Sequence, residues 1–535
     1  MPPLEEGQGA PPIDIERPAN PEHGDLATNL AMKLARPYRM APLAIATAIA
    51  REIAAEAADP AADSPIASVE VAPPGFLNLR LADRALEATI DGILATPAAW
   101  GRVGTAHPQH VNVEFVSANP TGPLHVGNAR GAFVGDLLCR VLEAGGNTVT
   151  REYYFNDFGA QIRQLGSSVA ARRAGERDPD DGYKGAYVDD LAGAVPADVW
   201  TSATAPGADR DWVVGLWASE AVRAGIEASL ARLGVRFDVW KSEGSLHAEG
   251  WVDRAIERLR TGGHLYEEGG ALWFRSTAFG DDKDRVIRKS NGDVTYFGSD
   301  IGYVTEKFSR GFDHLVYIWG ADHHGTVARL RNAAEAMGYD KAAVEMLLIA
   351  WVRFIRDGVE VSMSKRTGEF ITLDELLEEI GVDAARWYFA SRAPTSGIDL
   401  DIELAKKQST ENPVYYVQYA HARIASILRK ATEAGLAPAT SVAGSLGGAP
   451  EAALARIVVR LPEVVEDAAA AKETLGVTAF AMELATAFHA FYRDARVVDA
   501  GAPDRSRARL ALVEAARVTL ANALGLLGIS APESM

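Results

Sequence analysis

The stretch VNVEFVSANPTGPLHVGNARGAFVGDLL, residues 111–138, decides the fold. Its first six residues form an apolar run that is typical of a buried strand. Residues 117–123 contain two prolines and one glycine, so they predict a loop. From Ala129 the apolar residues recur at helical spacing, and Gly145 ends that pattern. A second strand follows near 149–155, so the sequence predicts a βαβ unit.

The turn HVGN, residues 125–128, lies where the predicted loop meets the predicted helix. Backbone N–H groups and the helix dipole favour a polyphosphate at such a position. Gly127 permits close approach, and the His125 imidazole and the Asn128 amide can both donate hydrogen bonds to phosphate oxygens. Gly127, Gly131 and Gly135 are four residues apart, which predicts tight packing of the helix on the sheet. An ordinary βα turn with an incidental histidine explains the four residues equally well.

A second candidate element is VSMSKRTG, residues 361–368. A loop that carries Lys365 and Arg366 can close on ATP phosphates and stabilise developing negative charge. Taken alone, it could equally be a basic surface loop. Thr372 and Glu375 match a capping box that opens the next helix, and Asp383 is predicted to cap the helix after it.

Composition limits the class of protein. The 535 residues are 48% apolar and 24% charged, which is ordinary for a globular protein, and no apolar run is long enough to span a bilayer. The first residues lack the features of a secretory signal, so we expect a cytoplasmic protein. Cys139 is the only cysteine, which excludes an internal disulfide framework and a cysteine-based zinc site; we expect no bound metal in the protein itself.

The net charge of −18 argues mildly against an RNA partner. Residues 401–535 nevertheless carry 14 Lys and Arg against 15 Asp and Glu, so nearly all of the negative charge lies before residue 401. The C-terminal part is therefore the better candidate for contact with RNA. It also contains five clustered arginines, which a solvated helical face would explain equally well: Arg493, Arg496, Arg505, Arg507 and Arg509.

The whole chain predicts an α/β fold with a Rossmann-like parallel sheet that is interrupted by an insertion. A small α+β N-terminal domain precedes the sheet, with a helical pattern from Asp25 to Ala54, and an all-α C-terminal domain follows it. We expect five segments, with the insertion between the two halves of the sheet: 1–100, 108–165, 166–290, 291–400 and 401–535. Within the second half, a strand is predicted at 314–319 and a helix at 327–337.

The two short elements resemble the signatures of class I aminoacyl-tRNA synthetases, a His-x-Gly-His turn and a Lys-Met-Ser-Lys-Ser loop. Longer motifs resemble the bacterial arginyl-tRNA synthetases and run nearly from end to end. They are PEHGD at 21–25, PGFLNL at 74–79, EFVSANPTGPLH at 114–125, WGADHHG at 319–325 and NPVYYVQYAHAR at 412–423. Several long motifs in the right order are far more specific than either short signature.

Two residues depart from the signatures. Asn128 stands at the position of the second histidine of the turn, and Ser362 stands at the position of the first lysine of the loop. An amide keeps a donor for phosphate, whereas a serine cannot replace a cation. The resemblance therefore implies that Lys365, helped by Arg366, supplies the positive charge of the loop.

The resemblance implies an ATP site and an arginine site. For ATP with Mg²⁺ it implies His125, Gly127, Asn128, His323, His324, Met363, Lys365 and Arg366, of which His125, Asn128 and Lys365 serve catalysis. For L-arginine it implies Glu114, Asn119, Tyr296 and Asp300. A guanidinium needs planar acceptors, and Asp300 is the best candidate. Without the resemblance, Asp300 could instead cap a helix that begins near Ile301.

The resemblance also implies tRNA contacts, from a tRNA-contacting domain at 1–100 and a helical anticodon-binding domain at 401–535. Tyr415, Tyr419 and Arg423 could stack on unpaired bases. On a helix, Tyr415 and Tyr419 share one face with Ala422, and packing in the core is an alternative use of that face.

The implied activity joins L-arginine to its tRNA through an arginyl-adenylate, with ATP converted to AMP and pyrophosphate. We expect a monomer that binds no membrane, and the sequence leaves open whether activation requires tRNA. One alternative is a nucleotidyl-transfer enzyme of the same fold that uses no tRNA, although it leaves the helical C-terminal domain unexplained. Another is a noncatalytic RNA-binding relative, which Asn128 and Ser362 keep open.

Overall fold

The structure is a computed structural model that describes residues 11–59, 61–360, 372–499 and 501–535. Its N-terminal part is an antiparallel sheet of order β1-β3-β2 with helices beside it. The elements are β1 (Leu26–Thr28), α1 (Leu30–Tyr38), α2 (Pro42–Ala58), β2 (Ile66–Ala72), β3 (Phe76–Leu81) and α3 (Asp83–Ala95).

The helical pattern predicted from Asp25 to Ala54 is confirmed only in part. A short strand comes first, and the helical part is divided into α1 and α2. Arg39 takes a left-handed backbone conformation with φ 50° and ends α1, and Pro42, which has no N–H to offer a preceding turn, starts α2. The small α+β character of this part is confirmed.

The first half of the central α/β unit follows the predicted pattern, with β4 (His110–Glu114), α4 (Val126–Ala144) and β5 (Thr148–Phe155). The segment after it is mostly helical and ends in a small antiparallel sheet of order β7-β8-β9. Its elements are α5 (Ala160–Ala174), α6 (Ala186–Ala194), α7 (Ala197–Ala203), α8 (Arg210–Arg232), β6 (Val239–Ser242), α9 (Glu243–Ala248), α10 (Trp251–Thr261), β7 (Leu265–Glu268), β8 (Ala271–Phe274) and β9 (Arg285–Arg288).

The second half resumes the alternation of strand and helix. Its elements are α11 (Tyr296–Ser309), β10 (His314–Gly320), α12 (His324–Ala336), β11 (Val344–Ile349), β12 (Val352–Arg356), β13 (Val359–Glu360), α13 (Leu373–Ile380), α14 (Val382–Ala390) and β14 (Ile398–Asp401). The C-terminal part is helical, with α15 (Ile402–Lys406), α16 (Pro413–Glu433), α17 (Ala449–Val458), α18 (Leu461–Ala471), α19 (Leu475–Asp494) and α20 (Pro503–Leu526).

The central sheet has the strand order β11-β10-β4-β5-β6, and each neighbouring pair is parallel. The predicted parallel sheet, interrupted in sequence by a long segment, is therefore confirmed. One strand lies elsewhere than expected, because β6 falls inside the interval 166–290 that was assigned to the insertion and yet pairs with β5. Within the described ranges, no helix is both long and apolar enough to cross a membrane.

Arg386 of α14 joins three parts of the chain. Its fully buried guanidinium donates to the Asp136 carboxylate of α4 at 2.8 Å, to the Leu233 carbonyl just after α8, and to the Leu527 carbonyl just after α20. Burial lowers the pKa of Arg386, although the Asp136 charge opposes this effect. Helix α4, which carries the HVGN turn at its start, is thus tied at its middle to the end of the C-terminal domain.

The prediction that Asp383 caps α14 is wrong. Gly381, with φ 78°, holds the cap position, so Asp383 lies inside the first turn. Its carboxylate instead accepts hydrogen bonds from the Gln418 side chain at 2.8 Å and from the Ser530 backbone N–H at 3.1 Å. The residue therefore fastens the end of the chain to α14 and α16.

Candidate active site

The carboxyl ends of β4 and β10 lie side by side, because these neighbouring strands are parallel and Glu114 pairs with Tyr317. Ligands of open α/β sheets bind at this edge. Glu114 is the last residue of β4, and β10 ends at Gly320, directly before a short 3₁₀ helix that contains His323. Glu114 of the first half and His323 of the second half thus lie at the same edge of the sheet.

The HVGN turn caps α4 as a reciprocal pair. The Gly127 N–H donates to His125 Nδ1 at 3.0 Å, and the His125 N–H donates to Asn128 Oδ1 at 3.2 Å. Accepting at Nδ1 places the proton of a neutral imidazole on Nε2. Because the side-chain oxygen of Asn128 accepts this hydrogen bond, the NH₂ group of the same amide is the part that can donate to a ligand. His125 and Asn128 are half-buried and Gly127 is exposed.

The glycines of α4 serve different purposes. A Cβ at Gly135 would meet the Phe115 ring at 2.2 Å, which confirms close helix–sheet packing there. A Cβ at Gly131 would find only an ordinary contact at 3.7 Å with Ile349, so this position does not require glycine for packing. At Gly127 the obstacle is the His125 ring, 2.8 Å from the position of a Cβ.

The start of α13 lies against the HVGN turn. Thr372 forms an isolated antiparallel bridge with His125, and the Leu373 N–H donates to the Leu124 carbonyl at 3.1 Å. The predicted capping box is confirmed, since the Glu375 N–H donates to Thr372 Oγ1 and the Thr372 N–H donates to the Glu375 carboxylate. Met363, Lys365 and Arg366 of the second signature lie outside the described residues.

Arg130 fixes the segment that follows β11. Its buried guanidinium donates to four backbone carbonyls, those of Ala350, Trp351, Ala393 and Ser396, at distances from 2.6 to 3.0 Å. Burial lowers its pKa to about 10. Because Arg130 lies in the second turn of α4, the chain around β11, β12 and β14 is held in register with the HVGN turn.

The backbone turns sharply after β4. Val116 and Ser117 both have positive φ, 68° and 42°, a conformation that is unusual for any residue with a side chain and most unusual for a β-branched one. The turn brings Ser117 Oγ back to donate to Glu114 Oε1 at 3.1 Å, while the Tyr154 N–H donates to Ser117 Oγ at 3.2 Å. Strain of this kind is characteristic of functional sites.

Glu114 is almost fully buried and pairs with a lysine that the sequence analysis missed. Lys307 of α11 is wholly buried, and its Nζ donates to Glu114 Oε2 at 2.6 Å. The pKa of Glu114 is nevertheless raised, because the cost of burial exceeds the attraction of Lys307. The residue predicted to face the bound amino acid is thus held by an internal cation in this structure.

Asp300 lies inside α11, one turn after Tyr296, which opens the helix and is 74% exposed. Thr295 caps this helix by accepting a hydrogen bond from the Gly298 N–H, so the alternative role of Asp300 as a helix cap is excluded. Burial, together with the nearby charges of Glu114 and Glu243, raises the pKa of Asp300 to about 7. Among the described residues, no cation pairs with its carboxylate.

Glu243, at the start of α9, is a further buried carboxylate at this edge that the sequence analysis missed. Ser299 Oγ donates to it at 3.0 Å, and the ring of His247 contacts the same serine at 3.2 Å. The carboxylates of Glu114, Glu243 and Asp300 raise the pKa of the Tyr154 hydroxyl, after the larger effect of burial. The only sequence signal for Glu243 was its position just after a short apolar strand.

The remaining predicted residues lie at the rim. Asn119 is exposed and its side chain donates to Gln161 at 2.7 Å. His323 and His324 are exposed at the start of α12, and the His323 ring lies 5.7 Å from the ring of Trp319. Open rims of this kind admit a ligand from solvent.

The C-terminal domain carries an aromatic ladder on α16 and α19. The half-buried rings of Tyr415 and Tyr419 are parallel within 5°, with centroids 6.5 Å apart. The guanidinium carbon of Arg423 lies 4.3 Å from the centre of the Tyr492 ring, and the ring centres of His489 and Tyr419 are 6.1 Å apart. The fully buried face of α16 includes Val414, Val417 and Ile424, whereas Tyr415 and Tyr419 are half-buried beside the buried Ala422, so this face packs in part against the domain and in part faces solvent.

We expect Gly127→Ala to break the cap of α4, because its Cβ would occupy the space of the His125 ring. Nitrogen NMR of labelled histidine should show loss of the hydrogen bond to Nδ1, and the free energy of unfolding should fall by about 0.5–2 kcal/mol. The matched control is Gly92→Ala in α3, where a Cβ meets no atom within 4 Å. An unchanged His125 signal in Gly127→Ala would contradict the geometry.

Sequence profiles of known families cover most of the chain. The profile of the arginyl tRNA synthetase N terminal domain matches residues 4–81, and that of the DALR anticodon binding domain matches 417–535. The catalytic domain of class I (R) tRNA synthetases matches 89–177 and 216–396. The interval between these two matches contains α6 and α7, so these helices lie outside the family's common pattern.

Curated relatives and solved structures agree with the profiles. Arginine–tRNA ligases of Geobacter sp. strain M21 and of Citrifermentans bemidjiense are each 45% identical, over 98% of this chain and 95% of theirs. A putative arginyl-tRNA synthetase structure from Campylobacter jejuni has a TM-score of 0.77 at 32% identity, and covers 85% of this chain and 100% of that one. The Thermus thermophilus arginyl-tRNA synthetase shares the fold, with a TM-score of 0.73 at 24% identity over 98% and 96% of the two chains. This chain therefore belongs to the arginyl-tRNA synthetase family, whose members are class I ligases that charge tRNA with arginine through an arginyl-adenylate.

Proposed function

We propose that the cluster of carboxylates at the carboxyl edge of β4, formed by the buried Glu114 and Glu243 and the half-buried Asp300, is the arginine pocket, with Asp300 as the acceptor for the guanidinium. The observation that carries this proposal is the placement of three carboxylates, those of Glu114, Glu243 and Asp300, around Tyr154 at one edge of the sheet. Burial and the two neighbouring carboxylates also raise the pKa of Asp300 to about 7. Carboxylates that lie close together, with fewer cations than negative charges beside them, favour the binding of a cationic ligand. The long side chain of arginine supplies such a cation at its far end.

The other predicted arginine residues contact different parts of the ligand, according to how deeply they are buried. Tyr296, exposed one turn before Asp300, covers the guanidinium with its ring. Glu114 takes the α-ammonium group from the buried side, and Asn119 at the rim takes part in binding the same end of the amino acid. This assignment agrees with the order of the elements, since Glu114 and Asn119 flank the strained turn at Val116 and Ser117.

ATP, as its Mg²⁺ complex, occupies the neighbouring half of the edge. His125, Gly127 and Asn128 hold phosphate oxygens at the start of α4, where the helix dipole favours negative charge. His323 and His324 line the nucleotide from the start of α12. Met363, Lys365 and Arg366 act from the second signature, which rejoins the described chain at Thr372, beside His125. We keep Mg²⁺ as part of the substrate and assign it no protein ligands.

In the first step, a carboxylate oxygen of arginine attacks the α-phosphorus of ATP, the bond to the bridging oxygen breaks, and pyrophosphate leaves. In the second, the terminal 2′-hydroxyl of tRNA attacks the activated carbonyl and AMP leaves. Neither step requires a covalent enzyme intermediate, so positioning and charge stabilisation supply most of the rate. His125, Asn128 and Lys365 stabilise the charge that develops on the phosphates.

The tRNA is held at two places. We assign residues 1–100 to general tRNA contact and 401–535 to the anticodon, with 108–165 and 291–400 as the halves of the catalytic domain and 166–290 as the connective segment. The aromatic ladder of Tyr415, Tyr419 and Arg423 offers half-exposed rings and a cation to unpaired bases. The protein works as a monomer in the cytoplasm, which light scattering and cell fractionation test directly.

Asp300→Asn should raise the KM for arginine roughly 30-fold or more at pH 7.5, because an amide cannot replace a desolvated charge partner, a loss of about 2–5 kcal/mol. The KM for ATP should change little. The control is Asp253→Asn, which removes a largely exposed carboxylate on α10. A normal KM for arginine in Asp300→Asn would refute the pocket.

Lys365→Ala should lower the turnover of aminoacylation about 100-fold or more, since the variant loses charge stabilisation of the transition state. Arginine binding, measured by calorimetry, should stay within a factor of about three. Lys341→Ala serves as the matched control, because this lysine is exposed and its ammonium group pairs with the exposed Glu335. Unchanged turnover in Lys365→Ala would remove the residue from the mechanism.

Arg423→Gln should raise the KM for tRNA about tenfold, the size of one lost stacking or cation contact. The KM for arginine should be unaffected, because the aromatic ladder belongs to a different domain from the arginine pocket. Arg260→Gln on α10 provides the control, since it removes an exposed arginine that pairs with Glu257. If tRNA affinity is unchanged in Arg423→Gln, the ladder has a structural role only.

A further inference from the structure

Lys307 is the least expected residue at the arginine site. It lies on α11 two turns after Asp300, and its side chain has no exposure to solvent. An unpaired ammonium at such depth is strongly unfavourable, and Lys307 is paired with one carboxylate, that of Glu114, at 2.6 Å. Nothing in the phosphate chemistry of the proposed mechanism uses this cation.

Two aromatic faces complete the surroundings of the ammonium group. Lys307 Nζ lies 4.3 Å from the centre of the Tyr303 ring and 4.0 Å from that of Tyr317. Both rings attract a cation through their faces and leave its charge uncompensated. The Tyr303 hydroxyl is directed elsewhere and donates to Glu152. Among the described residues, the charge of Lys307 is therefore met by Glu114.

Glu152, the other carboxylate near Lys307, has partners of its own. Arg310 donates to both of its oxygens at 2.7 Å, and Asn112 Nδ2 donates to Oε2 at 2.8 Å. The pKa of Glu152 is lowered by Lys307 and Arg310 in spite of burial. With Glu152 compensated by Arg310, Lys307 remains as the partner of Glu114.

The charges at the pocket can then be counted over the described residues. Three carboxylates face it, those of Glu114, Glu243 and Asp300, and Lys307 provides one buried cation. With all three carboxylates ionised, these four groups carry an excess of two negative charges. Arginine carries two cationic groups, its guanidinium and its α-ammonium, so the excess matches the cations of the ligand. The α-carboxylate must remain outside this cluster, where it can attack ATP.

We propose that Lys307 is a positioning residue that orients the Glu114 carboxylate toward the α-ammonium group of arginine. Its charge also sets the net charge of the pocket to match a ligand that carries one cationic group at each end. This inference rests on the proposed arginine pocket. Lys307 holds Oε2 and Ser117 holds Oε1, so the carboxylate is fixed from two sides while each oxygen keeps a lone pair for the ligand. Lys307 itself touches no substrate.

Lys307→Met tests the proposal, since it keeps most of the side-chain volume and removes the charge. The KM for arginine at pH 7 should rise tenfold or more, the KM for ATP should change less than threefold, and turnover at saturating arginine should be largely kept. In this variant the Glu114 carboxyl group lacks its compensating cation, so its pKa, already raised by burial, rises further and the group ionises only in more alkaline solution. The increase in the KM for arginine should therefore shrink at higher pH. A normal arginine KM across this pH range would overturn the proposal.

The pH profile must be assigned to Glu114 against its neighbours. The titratable or charged groups around it on the surrounding elements are Glu152 and Tyr154 of β5, Glu243 of α9, Asp300, Tyr303 and Lys307 of α11, and Tyr317 of β10. Glu114→Gln removes the group itself, so its arginine KM should lack the alkaline recovery seen in Lys307→Met. If Glu114→Gln keeps that recovery, another group titrates and the proposal fails.

A double-mutant cycle decides whether Lys307 acts through Glu114. Glu114→Gln combined with Lys307→Met should have the arginine KM of Glu114→Gln alone, within about twofold. A further tenfold loss would show an independent role and contradict the proposal. This comparison does not require Lys307→Met alone to fold, since it sets the double variant, in which both partners of the buried ion pair are replaced, against Glu114→Gln; the Glu114→Gln variant must itself be shown to fold, because it leaves the Lys307 ammonium buried without its carboxylate. Circular dichroism and thermal unfolding check each variant.

Asp300→Asn, measured in parallel, distinguishes a failure of the role proposed for Lys307 from a failure of the proposed arginine pocket. Normal arginine affinity in Asp300→Asn refutes the pocket as a whole. A weakened Asp300→Asn together with a normal Lys307→Met refutes only the role of Lys307. Agmatine, which keeps both cations and lacks the carboxylate, should inhibit the wild type competitively and should bind at least tenfold more weakly to Lys307→Met.

Discussion

Buried negative charge that exceeds the buried positive charge is the constraint on which this site depends. Glu114 and Glu243 are nearly inaccessible to solvent, and Asp300 close by shares their field. In an empty pocket one of these groups is most easily accommodated by taking up a proton, which is what a pKa of about 7 for Asp300 expresses. In the arginine pocket that we propose, a cationic ligand removes that need, and part of the specificity for arginine then rests on this unfavourable arrangement of charges.

The architecture maintains this arrangement through rigid elements. The parallel strands β4 and β10 bring the two halves of the catalytic unit to one edge, and the strained turn at Val116 and Ser117 returns a hydroxyl to Glu114. On the other side, α4 begins with the capped HVGN turn and is fixed at its middle by the contact of Asp136 with Arg386. Since Arg386 also binds the Leu527 carbonyl just after α20, the C-terminal helical domain and helix α4 are held by the same side chain.

Much of the fold was predictable because its signals are local. The βαβ unit, the capping box at Thr372 and the helical C-terminal part follow from apolar spacing and capping residues, and all are present. Errors arose where tertiary contacts override a local pattern. Asp383 has the features of a cap but binds the chain terminus, and the helical pattern after Asp25 is interrupted by a strand and by the left-handed Arg39.

The site was predictable only in part, for a physical reason. His125, Asp300 and Glu114 lie in motifs with recognisable spacing, whereas Lys307 and Glu243 gain their importance from the burial of charges brought together across the sheet. Lys307 in a sequence looks like any lysine near the end of a helix. Positive φ at Val116 is equally invisible, since a β-branched residue gives no signal for a left-handed turn.

The most direct test of the central claim is the proton balance of arginine binding. Calorimetry at pH 7 in buffers with different ionisation enthalpies measures the protons released per bound arginine. A guanidinium beside Asp300 must lower its pKa from about 7, so the account predicts release of up to about half a proton, and none from Asp300 in the Asp300→Asn variant. Binding without any proton release in the wild type would contradict a pocket whose excess negative charge is neutralised by arginine.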